Sequence, residues 1–103
     1  MAMVISSGAR FHCEQTVAAL DRGLHVFVEK PLCLTLDQLK AISGALEAQP
    51  GENRPLLQVG FNRRFSPAAV KAKAHFGADP GPLTMMYRVS AGHIPRSHWT
   101  QHP

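Results

Sequence analysis

Two cysteines, one tryptophan and one tyrosine are the whole supply of those types in 103 residues. Cys13 and Cys33 are too few and too far apart for a disulfide framework or a Cys-x-x-Cys metal site. They read as two small buried thiols in a reducing compartment. No run approaches the roughly 20 apolar residues of a membrane helix, and no charged-then-apolar leader opens the chain. No membrane partner is expected, and the default location is cytoplasmic. Acidic residues are also scarce, leaving a formal charge of +4. The lysines and arginines are scattered from Arg10 to Arg96, with no basic block and no aromatic–basic ladder. A nucleic-acid partner is therefore not expected.

One further absence matters more. Chains that grip a dinucleotide through a doubly wound α/β domain carry Gly-x-Gly-x-x-Gly between a strand and a helix. Backbone amides and the helix N-terminus there hold the pyrophosphate. No such run occurs here, and no acidic residue follows one to hold a ribose hydroxyl.

What is present alternates between strand and helix. Residues 3–7 read as a short buried strand. Between His12 and Gly23, Cys13, Val17, Leu20 and Leu24 recur at helical spacing, and Gly23 is a natural stop. Residues 25–29 form the next strand, which completes a right-handed βαβ unit. Thr35-Leu36-Asp37-Gln38 is a capping-box pattern. The helix it opens carries Leu36, Leu39, Ile42 and Leu46 on one face and ends near Gln49. Residues 56–59 read as a third strand. Ser66-Pro67 starts a helix to about Phe76, serine capping and proline at the first helical position. A Gly- and Pro-rich linker follows over 77–82, a weaker fourth strand over 83–90, and an irregular tail. The fold class is α/β: the C-terminal half of a Rossmann-type parallel sheet in the order β-α-β-α-β-α, plus the first strand of a following α/β domain.

Two strand ends carry the chemistry. Val26-Phe27-Val28-Glu29-Lys30-Pro31 is an apolar strand ending in a carboxylate, an amine and a proline. Ligands of open parallel sheets bind beyond the carboxyl ends of the strands, so Lys30 stands where a ligand would lie. Pro31 keeps Lys30 out of the helical region. Gln58-Val59-Gly60-Phe61-Asn62-Arg63-Arg64-Phe65-Ser66-Pro67 repeats the design, and its arginine pair suits a phosphate- or ribose-bearing ligand.

Together these blocks resemble the glucose–fructose oxidoreductase, inositol dehydrogenase and MocA family of NAD(P)-dependent oxidoreductases (Gfo/Idh/MocA), over nearly the whole chain. The resemblance implies NAD or NADP as cofactor and a sugar or polyol as small-molecule substrate. Lys30 matches the lysine that touches both the reacting hydroxyl and the nicotinamide ribose. A desolvated lysine can accept or relay the proton that hydride loss releases. Glu29 would orient Lys30 or meet the ribose, and Pro31 completes the motif. Ser6, Ser7 and His12 match a loop near the cofactor, with the tying down of its own loop the favoured role for His12 over direct cofactor contact. Asn62 and Arg63 would reach the nicotinamide carboxamide or the substrate, with Arg64 pointing outward. His98 and Trp99 match a loop that folds back near the nicotinamide. His93, His98 and His102 have neither a helical pattern nor a Glu between them, so no metal site is expected.

In that family the glycine-rich loop lies before the strand at 3–7, and an Asp and a His of the catalytic set lie beyond Pro103. The expectation is an internal piece of a two-domain protein about two to four times as long. Residues 1–80 would belong to the NAD(P)-binding domain. Residues 81–103 would begin the domain for substrate and oligomerisation, through which the parent forms a homo-oligomer. Alone, the chain is expected to bind cofactor weakly or not at all, and to be inactive. Two rivals remain: a non-enzymatic cofactor-binding regulator, against which Lys30 argues, and a truncated relic with only structural or interaction properties. In the latter, bare sheet edges would favour self-association.

Overall fold

A computed structural model describes residues 1–49, 51, 54–78, 81–90, 92–98 and 101. Three parallel strands form one sheet in the order β1-β2-β3: β1 (Ala2–Ile5), β2 (His25–Val28) and β3 (Leu57–Val59). Helix α1 (His12–Leu20) joins the first two, α2 (Leu36–Glu47) joins the second and third, and α3 (Pro67–Phe76) follows. Sequential parallel strands joined by helices of one crossover hand place both helices on the same face. In agreement, α1 packs on α2 and on β2.

The register explains the core. Ile5, Val28 and Val59 lie side by side, as do Met3, Val26 and Leu57. Side chains alternate across a strand, so these residues face the helices. Ile5, Val26 and Val28 are buried there with Ala19, Leu20 and Ile42. Val4, Phe27 and Gln58 line up on the opposite face. No described helix covers it, and Val4 is 71% exposed.

Local signals set the helix ends. Gly23 adopts φ 68°, a conformation cheap only for glycine. Around it Leu24 N–H donates to Ala19 O at 3.1 Å and Gly23 N–H to Leu20 O at 2.8 Å, a Schellman closure. Gly23 thus ends α1, the stop expected of it. The Thr35 hydroxyl caps α2 by accepting from Gln38 N–H. The Gln38 side chain reaches back one residue further than a standard capping box and accepts from Leu34 N–H at 2.7 Å. Ser66 caps α3 through Ala69 N–H, with Pro67 first in the helix.

The strand expected over 83–90 does not form. A strand exists through pairing and a buried face. Here Leu83, Met85, Met86, Tyr87 and Val89 are all exposed, Met86 at 91%. Helix α3 forms on its caps but buries no residue. No helix among the described residues is long and apolar enough to cross a membrane.

Candidate active site

The carboxyl edge of the sheet is set by two backbone bonds just beyond the strands. Glu29 N–H donates to Ile5 O at 2.9 Å, and Gly60 N–H to Val28 O at 2.8 Å. These bonds bring Ser6, Glu29 and Gly60 to the same level, so Ser6-Ser7, Glu29-Lys30-Pro31 and the start of the Asn62 turn share one shelf.

Lys30 stands exposed on that shelf, after the central strand. No hydrogen bond or ion pair engages its ammonium among the described residues; the one ion pair present is Lys40–Asp37. The desolvation expected of Lys30 is thus not supplied by the described residues. Its backbone N–H donates to the Glu29 carboxylate at 3.3 Å. That carboxylate in turn lies over Gly60: a Cβ there would sit 3.2 Å from Glu29 Oε2 and 3.2 Å from the Phe27 ring. A side chain at 60 would push against both. The Lys30–Pro31 peptide is cis.

His12 is buried, with 1% of its surface exposed. Its Nδ1 lies 2.7 Å from Pro31 O and its Nε2 2.9 Å from Ser7 O. Each ring nitrogen thus lies within hydrogen-bond distance of a backbone carbonyl, and the tautomer sets which carbonyl receives the N–H. Ser6 and Ser7 are exposed, and the Ser7 hydroxyl donates to Gln15 Oε1 at 2.7 Å, which leaves its oxygen free to accept.

After β3 the chain makes a short 3-10 turn, Asn62–Phe65. Asn62 and Arg64 line a cleft of about 340 Å³ with Phe27, Gly60, Phe61 and Phe65. Arg64, expected to point outward, takes part in this cleft, while Arg63 is exposed and does not line it. Gly60, not among the residues expected at the site, is the seat of the Glu29 carboxylate. The signal available for it was a glycine at a strand end, where close approach is the usual reason.

His98 is held in a separate turn after α3, its N–H donating to Pro95 O at 2.9 Å. Trp99 lies outside the described residues. Cys13 and Cys33 are free and half-buried, packed against the core. Desolvation, with smaller contributions from Cys33 and Glu14, pushes the Cys13 thiol up from its ordinary range. It is thus a poor nucleophile at neutral pH. No three His, Cys, Asp or Glu side chains converge as a metal site among the described residues.

The shelf offers hydroxyls, an amide and an ammonium, all exposed, at the place where open α/β sheets bind ligands. That donor set fits the hydroxyl-rich ribose and carboxamide end of a nicotinamide nucleotide. Nothing in the chain supplies the glycine-rich cradle for its pyrophosphate.

Comparison with known proteins points the same way. Residues 1–55 match the model of a family described as oxidoreductases with an NAD-binding Rossmann fold (GFO_IDH_MocA). The chain is similar to inositol 2-dehydrogenase 4 of Saccharopolyspora erythraea, 41% identical over 86 residues, which are 82% of this chain and 25% of that protein. It is similar to scyllo-inositol 2-dehydrogenase (NAD(+)) of Bacillus subtilis, 38% identical over 77 residues, 75% of this chain and 21% of that protein. It is also similar to inositol 2-dehydrogenase of Mycolicibacterium gilvum, 40% identical over 92 residues, 85% and 25% respectively. The chain thus spans about a quarter of the length of these relatives. No solved structure matches.

Proposed function

The chain belongs to the Gfo/Idh/MocA oxidoreductase family, whose parent proteins use a nicotinamide cofactor, and we propose that it carries the nicotinamide side of a polyol dehydrogenase. The substrate class is a polyol with a secondary hydroxyl, as the names of the inositol dehydrogenase relatives suggest. The bound nicotinamide supplies the two-electron acceptor. The residues of this chain supply binding, orientation and proton transfer.

Lys30 is the acid–base group. As the substrate C–H bond gives up its hydride, the attached hydroxyl must lose a proton, and the Lys30 amine takes it. The reverse direction returns that proton from the ammonium to the carbonyl oxygen. The observation that carries this reading is a Lys30 ammonium with no partner among the described residues, at the carboxyl edge of the central strand. Glu29 holds the Lys30 backbone N–H. Ser6 and Ser7 face the ribose, and Asn62 reaches the carboxamide. Arg63 stands on the outer rim toward the substrate, and His98 with Trp99 closes the nicotinamide side. Residues 1–80 form part of the cofactor domain, and residues 81–103 open the substrate domain, which assembles the parent as a homo-oligomer in the cytoplasm.

By itself the chain is expected to bind NAD weakly and to turn over nothing, since it has no Gly-x-Gly-x-x-Gly run. The test joins the chain to the missing segments of a relative and compares Lys30 with Lys30→Ala. Removal of the general base should lower kcat by about 10²–10⁴-fold while NAD still binds. Turnover within a few fold of the parent would remove Lys30 from the mechanism.

A further inference from the structure

His12 is a buried titratable side chain that the proposed reaction does not use. It opens α1, yet its ring does not serve that helix. Nδ1 meets the carbonyl of Pro31, 19 positions along the chain, at 2.7 Å, and Nε2 meets the carbonyl of Ser7 at 2.9 Å. One ring therefore touches the loop after β1 and the turn after β2. Those are the two loops that carry Ser6-Ser7 and Lys30. Each partner is a pure acceptor, so each bond needs a ring N–H. A neutral imidazole carries one N–H, so one carbonyl receives the hydrogen bond and the other is held in close contact with the second ring nitrogen.

We infer that His12 is the positioning residue for Lys30: its imidazole staples the Lys30–Pro31 turn to the Ser6-Ser7 loop. This deepens the reading above and rests on Lys30 being the acid–base group. Pro31 itself has no N–H, so the backbone cannot donate from that residue to hold the turn. On one side Lys30 is held by the Glu29 carboxylate through its own N–H. On the other, the hold on Pro31 O comes from His12. A helix start thus acts as the peg against which a catalytic turn is set.

Two substitutions separate this role from general packing. A glutamine amide donates where Nε2 stands and has no atom in the place of Nδ1, so His12→Gln keeps a contact at Ser7 O and drops the one at Pro31 O. His12→Ala drops both. On the 103-residue chain, amide chemical shifts and relaxation should move around Lys30, Leu32 and Cys33 in His12→Gln, with Ser7 and Gly8 unchanged. Both sets should move in His12→Ala. Equal disturbance of both loops in His12→Gln, or of neither, would overturn the inference. If a variant fails to fold, the wild-type chain decides. Nuclear Overhauser contacts from the His12 ring to both Pro31 and Ser7 support the staple, and their absence overturns it.

These readouts need no cofactor or turnover, so they stand or fall apart from the dehydrogenase reading. In the end-restored enzyme, His12→Gln should lower kcat by about tenfold or more, since small misplacements of a reacting group are that costly. The KM for NAD should be unchanged. A raised KM with unaltered kcat would make His12 a cofactor contact and overturn the positioning role.

Discussion

The first sixty residues bury Ile5, Ala19, Leu20, Val26, Val28 and Ile42 in one core, whereas no described residue after Gly60 is buried. The two regions share similar raw material. Both have capped helices and apolar residues at plausible spacing. The difference lies in partners. Strands β1 to β3 close on each other and present one apolar face, which α1 and α2 cover. Helix α3 has its serine cap and its proline but buries no residue, and residues 83–90 have apolar side chains but pair with no strand among the described residues. Caps are enough to delimit a helix, while a strand and a core need other segments. The proposed site draws on this contrast, since Ser7, His12, Glu29, Lys30 and Gly60 all belong to the packed region.

The sharpest way to break the comparison is to empty one residue from each side. Leu20→Ala should cost about 2–5 kcal/mol, comparable with the whole stability of a small domain, so the variant should lose its cooperative urea transition. Phe76→Ala in α3, where the ring is 48% exposed, should change that transition by less than about 1 kcal/mol. Equal losses would mean that α3 is part of the core after all.

Gly60→Ala probes the join between fold and site. The new methyl crowds the Glu29 carboxylate and the Phe27 ring, at a cost of about 1–2 kcal/mol in denaturant unfolding. It should also shift the Lys30 amide signal as Glu29 moves away. An unshifted Lys30 amide would mean that Glu29 does not hold it.

The two caps offer a matched pair. Thr35→Ala and Ser66→Ala each remove a side-chain cap worth about 1 kcal/mol. The first should lower the unfolding midpoint of the whole domain, because α2 carries Ile42 into the core. The second should reduce helical circular dichroism without moving that midpoint. The smallest effect is expected at Thr16, fully buried in α1, whose hydroxyl has no hydrogen-bond partner among the described residues. Thr16→Val keeps the shape and removes the unmet polar group. It should be neutral or stabilising by up to about 1 kcal/mol, measured by the same unfolding curves.

What could be read from the chain follows the same division. The helix starts at Leu36 and Pro67 were legible because caps are local, involving residues three apart. The parallel course of the first two strands was legible because a short βαβ connection leaves little choice. The position of Lys30 followed from a strand end and a proline. The His12–Pro31 bond was not legible, since it joins residues 19 apart whose meeting depends on how α1 lies on the sheet. The 3-10 turn Asn62–Phe65 was not legible, since an open loop was expected there. The strand over 83–90 was misread because composition can make a segment willing to pair without giving it a partner.

Hydrogen exchange along the intact chain tests the central claim most directly. Amides of β2, Glu29 and Gly60, bonded between neighbouring strands, should exchange slowly and together, at the rate of global unfolding. Those of 83–90 should exchange nearly as fast as in an unstructured peptide. Slow exchange over 83–90, or fast exchange at Glu29 and Gly60, would contradict a packed first region that sets the Lys30 shelf by itself.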